Sequence, residues 1–189
     1  MAVTLVRHQL DVAEYHRMVE VGILTEQDRV ELIHGEIIQM SPIGRKHIAV
    51  VNRISNLLKE HIGKNAIVSV QNPLPVPNHS EPEPDVTLLK PSPDFYASGH
   101  PTPADVLLVV EVADTSWSYD YEIKRPLYAA VGIPELWLVN LNKHEIEVHQ
   151  TPATDVYKHI SILRSGDEVM LPNFEIRVSV DELLGKPMS

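Results

Sequence analysis

Cysteine is absent from the 189 residues, which excludes disulfides, thiolate metal sites and a cysteine nucleophile. Aromatic side chains are scarce, at 5% of the chain. No apolar run is long enough to span a bilayer; stretches such as Val106–Val110 are strand-sized. The N-terminal Met1–His8 lacks the apolar core of a secretory signal, so a cytoplasmic protein without a membrane anchor is expected. A basic excess is missing too. Sixteen Lys and Arg face 26 Asp and Glu, a formal net charge of −10, which argues against a broad nucleic-acid-binding surface. Gly-rich phosphate loops, GxSxG and HExxH are not found, so the mechanisms that need them lack their residues.

What is present reads as one globular α/β domain over residues 1–189, with 43% hydrophobic residues and fifteen prolines against eight glycines. A short helix is expected over 10–21, stopping at Gly22, and then a hairpin of Arg29–Ile33 and Glu36–Met40 turning at His34-Gly35. Ile48, Val51, Ile54, Leu57, Leu58 and Ile62 recur at three- and four-residue steps and predict a helix from Arg45 to Ile62. Strands follow at Ala66–Gln71, Asp85–Leu89 and Val106–Val112, with a short edge strand, Leu74–Val76, inside the Pro-rich stretch 72–84. A helix over Asp120–Val131 then leads to a second hairpin, Glu135–Leu141 with Glu145–His149. Strand, helix, strand over 106–141 makes a parallel crossover unit, so the sheet is expected to be mixed. Further strands at Tyr157–Leu163, Glu168–Leu171 and Ile176–Val178, and a helix at Val180–Leu184, close the chain.

Three charged residues stand where local structure should not want them. Glu111 interrupts the otherwise apolar strand Val106–Ala113, and a carboxylate there must be paired or bound to a metal. Its plainer role is to mark the wet end of the strand or to pair with a base. Asp85 opens the next strand directly after Glu81-Pro82-Glu83-Pro84, where two prolines stiffen the approach; alone it reads as a turn aspartate. Lys124 follows Asp120 by four residues and precedes Tyr128 by four, the spacing of one helical face or of an ordinary surface ion pair. Together, two carboxylates on neighbouring strands and one lysine suit Mg²⁺ or Mn²⁺ beside a phosphate, since hard cations take carboxylate oxygens and keep several waters.

The ordered set Val30-Glu31-Leu32-Ile33-His34-Gly35-Glu36-Ile37-Ile38, Met40-Ser41-Pro42, His47, Glu83-Pro84-Asp85, Glu111-Val112-Ala113-Asp114-Thr115-Ser116, Asp120, Lys124, Tyr128 and Gly132-Ile133-Pro134-Glu135-Leu136-Trp137 resembles one family. It is the restriction-endonuclease family greatly expanded in certain photosynthetic bacteria, once catalogued as a domain of unknown function, within the PD-(D/E)XK nuclease superfamily. The resemblance runs from about Tyr15 to Leu184. It implies a restriction-endonuclease-like fold, a mixed central sheet flanked by helices, and a Mg²⁺-dependent endonuclease acting on DNA, with a homodimer as its working form. Pro84-Asp85 matches the first half of the motif and Glu111 the second, so Asp85 and Glu111 are the implied metal ligands. Ala113 stands where the superfamily usually has lysine, and Lys124 matches the position to which this family moves it. Glu31 matches an assisting acidic position, its alternative being a sheet-edge surface glutamate. Asp120 could orient Lys124 but is expected first to cap its helix, Ser116 to belong to the preceding turn, His47 to be exposed or structural rather than at the site, and Tyr128 and Trp137 to pack the core. The rival expectations are a non-catalytic scaffold or nucleic-acid-binding module on the same fold, and a phosphoesterase acting on nucleotides or RNA.

Overall fold

A computed structural model describes residues 7–186 except Glu26 and Asn78. Most of the leader-free N-terminus expected above, Met1–Val6, lies outside the described residues. Helix α1 (Val12–Glu20) starts at Asp11, whose carboxylate accepts from the Glu14 amide while Glu14 returns the bond to the Asp11 amide, a capping box. It is followed by the hairpin β1 (Val30–Ile33) and β2 (Glu36–Gln39). His34 and Gly35 turn that hairpin with φ of 51° and 77°, the left-handed pair that matches strand twist. Helix α2 (Arg45–Ile62) runs the full predicted length and ends at Gly63, φ 59°.

The main sheet has six strands in the order β3-β4-β5-β6-β7-β8: β3 (Ile67–Val70), β4 (Val86–Leu89), β5 (Val106–Ala113), β6 (Glu135–Asn140), β7 (Glu145–Ala153) and β8 (Val156–Leu163). Only β5 and β6 pair in parallel, as a helical crossover requires, so the sheet is mixed. The crossover is a continuous helix over 117–130, here α3, whose middle is not α-helical. Trp117–Tyr119 and Arg125–Ala130 are α, but Asp120–Lys124 is a π turn, and the Arg125 amide donates to the Asp120 carbonyl. Pro126 explains its position: without an amide, and with a ring that would strike the carbonyl four residues back, it cannot sit in an unbroken α-helix. A separate hairpin, β9 (Glu168–Met170) with β10 (Arg177–Ser179), leads into α4 (Val180–Leu184).

Two apolar layers hold the sheet. On one face α2 and α4 pack Ile54, Leu58, Ile62 and Leu183 against Leu108, Val110, Val112, Trp137 and Val139. On the other, Tyr128 and Ala129 of α3 cover Val109, Leu136 and Leu138. Each fully buried aliphatic side chain contributes about 1.5–3 kcal/mol by leaving water. The two-residue alternation of β5 sends Val110 and Val112 to the α2 face, so Glu111 faces α3. Trp137 packs the core as expected, its indole N–H donating to Glu135 at 2.6 Å.

Several sequence expectations change here. Leu74–Val76 forms no strand; Val76 makes a single bridge to Ser80, and the prolines around it supply no amides to extend a ladder. Helix α3 begins at Trp117 after Ser116, so Asp120 lies inside the helix and does not cap it. Along α2, Ile48 is exposed, and the line through Val51, Ile54, Leu58 and Ile62 continues one turn back to His47. Among the described residues, no helix is long and apolar enough to cross a membrane.

Candidate active site

The antiparallel register pairs Val86 with Val110, so the next step along β4 and β5 brings Asp85 level with Glu111. The Asp85 carboxylate is held at Oδ2, which accepts from the Val112 amide at 2.8 Å and from His47 Nε2 at 2.9 Å. Among the described residues its Oδ1 accepts only a long 3.3 Å bond from Gln71. Asp85 is therefore not a local turn aspartate: its donors come from another strand and from α2.

Glu111 is 2% exposed. Its Oε1 accepts from the Tyr128 hydroxyl at 2.6 Å and from Lys124 Nζ at 3.2 Å, and among the described residues no donor reaches Oε2. Burial pushes Glu111 up to about 8, against the pull of the Lys124 ammonium, with the Asp120 and Asp85 carboxylates adding to the rise. Burial by itself would lower Lys124, but Glu111, Glu31 and Asp120 outweigh it and hold the ammonium charged, well above its ordinary range. Lys124 is not on the surface with Asp120; it lies 3.0 Å from Glu31 Oε2 and sits 5.7 Å from the Tyr119 ring centre.

Glu31, on β1, is buried rather than at a wet sheet edge. Its Oε1 accepts from the Tyr119 hydroxyl at 2.9 Å and its Oε2 from the Glu83 amide at 3.1 Å. The hairpin is tied to that segment by the Glu81 amide donating to the Leu32 carbonyl at 2.7 Å. Asp120 is buried, with its Oδ2 accepting from the Ser116 hydroxyl at 2.6 Å, and burial pushes its carboxyl up to about 6. Glu83 is raised as well, by burial and then by Glu31.

Glu31, Asp85, Glu111 and Lys124 thus line one cleft of about 550 Å³, walled by β1–β2, the start of α2, and the turn from β5 into α3. Six carboxylates face it, Glu31, Glu83, Asp85, Glu111, Asp114 and Asp120, against the cations of Arg29 and Lys124. Sequence reasoning missed Glu83, Tyr119 and the hydroxyl of Tyr128, and placed His47 away from the site. His47 was legible as the continuation of the buried line of α2. Glu83 shares the two-residue step of Glu81 and Asp85. Tyr119 left no signal, because only the π turn brings residue 119 over residue 124.

Among the described residues, no cluster of three or more His, Cys, Asp or Glu has metal-holding geometry. The donor set nevertheless fits a hydrated hard cation, which binds through one or two carboxylates and completes its sphere with water. Asp85 and Glu111 each commit one oxygen to protein donors and leave the other lightly bonded or unbonded.

A mixed sheet flanked by helices, with paired acids at the ends of adjacent strands and a lysine from the crossover helix, defines a restriction-endonuclease-like fold. The chain belongs to the Uma2 family, described as "Putative restriction endonuclease", whose model matches residues 12–181, and this sets it among the nucleases at the level of class. Its fold is similar to that of a crystal structure described as "a putative nuclease belonging to DUF820" from Anabaena variabilis ATCC 29413, with TM-score 0.72 and 16% identity over 93% of this chain and 97% of that one. No curated protein matches.

Proposed function

We propose that the protein is a divalent-metal-dependent endonuclease that hydrolyses phosphodiester bonds in DNA. The observation that carries this reading is the meeting of Asp85, Glu111 and Lys124 in one cleft, although they come from three separate elements. Asp85 and Glu111 are the residues that would hold Mg²⁺ or Mn²⁺. When bound, the ion would lower the pKa of a water and offset charge on the scissile phosphate.

The chain's own residues supply the rest. The charged Lys124 stands beside Glu111, where it can orient an attacking water or face phosphate oxygen. Glu31 and the Tyr119 ring hold that ammonium in place, so Glu31 assists by positioning. Arg29 lines the cleft, and Arg45 and Lys46 are exposed in the first turn of α2 next to its lining residues Gly44 and His47, so cationic side chains are available to the DNA backbone. A homodimer matches cleavage of both strands of a two-fold symmetric duplex.

Nicking of supercoiled plasmid tests the assignment. Wild type should nick with Mg²⁺ or Mn²⁺ and stop with EDTA, and Glu111→Ala should lose at least a hundredfold in rate. Equal nicking by the variant would overturn the reading. The rival is a non-catalytic scaffold on the same fold, favoured by the surplus of acid in the cleft and by Ala113 in the usual lysine position. A wild-type protein that binds no divalent ion at millimolar concentration would select it.

A further inference from the structure

Neither nitrogen of the His47 ring opens toward the cleft as a base would need. Nε2 is spent on Asp85 Oδ2 at 2.9 Å, and because that carboxylate oxygen accepts, Nε2 carries the proton. Nδ1 is buried and, among the described residues, has no hydrogen-bond partner. The side chain is 13% exposed, and its place three residues into α2 is fixed by the packing of Val51 and Ile54 further along the same line. A general base must reach the proton it removes, and of this ring's nitrogens one is engaged by Asp85 and the other is buried.

The ring bears instead on the orientation of the Asp85 carboxylate, whose Oδ2 it grips. Two strong donors, the Val112 amide from β5 and His47 from α2, grip Oδ2 from two elements. Oδ1 is left with the long bond from the exposed Gln71, which a cation could displace. With only the Val112 amide remaining, the carboxylate could rotate about χ2, a broad two-fold torsion, and present either oxygen at several angles.

We propose that His47 is a positioning residue that locks the Asp85 carboxylate with Oδ1 toward the cleft, pre-forming half of a divalent-cation site. The inference rests on the metal-dependent reading above. Partners that orient a ligating carboxylate typically contribute ten- to a hundredfold in metal affinity.

Calorimetric titration of Mn²⁺ into the purified full chain tests this without an activity readout. His47→Leu should bind Mn²⁺ about ten- to a hundredfold more weakly than wild type. His47→Gln, whose amide N–H reaches the place of Nε2, should recover most of that loss, whereas the shorter His47→Asn should not. A purely structural histidine would lower the unfolding temperature of His47→Leu and leave its Mn²⁺ affinity unchanged, and that result would overturn the inference while the metal site stands. Should His47→Leu fail to fold, the Gln and Asn variants decide, because equal affinities for the two would equally overturn it. Wild type that binds no Mn²⁺ would overturn both the inference and the metal-dependent reading.

Discussion

Two histidines, one half-buried and one fully buried, show how differently one residue type behaves with its surroundings. His47 donates a hydrogen bond to a carboxylate at the cleft. His149, on β7, is fully buried between the Tyr121 and Tyr157 rings, with Nε2 3.2 Å from Glu147 and Nδ1 without a partner among the described residues. Burial and then the Arg125 guanidinium push it down to about 4, and burial and Glu145 raise the neighbouring Glu147 carboxyl. The fold therefore prefers the neutral ring, while the unfolded chain takes up a proton near pH 6.5. Stability from this residue is complete above about pH 6.5 and falls as the pH drops toward 4, because the unfolded state then binds more protons. Urea titrations at pH 7 and pH 5 should show a smaller drop in stability for His149→Gln than for wild type; an equal drop would place the acid sensitivity elsewhere. Residue-scale legibility followed the same logic. Glu111 announced itself as a charge inside an apolar strand, but His149 and Glu147 alternate with apolar neighbours and read as the outer face of a hairpin.

At the scale of elements, nearly every strand and helix was legible from periodicity and turn chemistry, and the exceptions are informative. The π turn of α3 was hidden because Asp120, Lys124 and Tyr128 carry the four-residue spacing of an ordinary helix; Pro126 was the one mark against it. The turn changes the chemistry by bringing Tyr119 as well as Lys124 onto Glu31. The β1–β2 hairpin, by contrast, was legible at His34-Gly35, but nothing local showed that it would deliver Glu31 to the strand ends. That delivery is fixed at the turn, where the Gly35 amide donates to the His79 carbonyl at 2.6 Å and its carbonyl accepts from Leu10 at 3.1 Å. A Cβ at Gly35 would lie 2.5 Å from the Gln9 Cβ, at a φ of 77° that L side chains rarely adopt. Gly35→Ala should therefore cost about 1–3 kcal/mol in urea unfolding, the range for a strained backbone. It should also weaken nicking, since the turn anchors the strand that carries Glu31. A variant as stable as wild type would show that the hairpin is held from elsewhere.

For the whole molecule the governing quantity is charge. The chain carries a formal −10, and the cleft alone supplies a net four of it, six carboxylates against two cations. Phosphate approaching such a cleft meets repulsion, and cationic side chains alone cannot supply the counterion-release affinity of a basic DNA-binding surface. Part of that acidity is already relieved by protonation or pairing, since Glu111 and Asp120 are raised and Lys124 stands among three acids. On the proposed metal-dependent reading, the remainder would make DNA affinity depend on a divalent ion in the cleft, linking the local site to the global field. Fluorescence anisotropy with a labelled duplex should therefore show binding that is barely measurable in EDTA at about 0.15 M salt. It should strengthen at least tenfold with Ca²⁺, which takes the same carboxylate oxygens. The gain should vanish in Glu111→Ala and shrink at higher salt. Equal affinity with and without the ion would mean that DNA is held by the rim cations alone and that the cleft acids serve something other than phosphate.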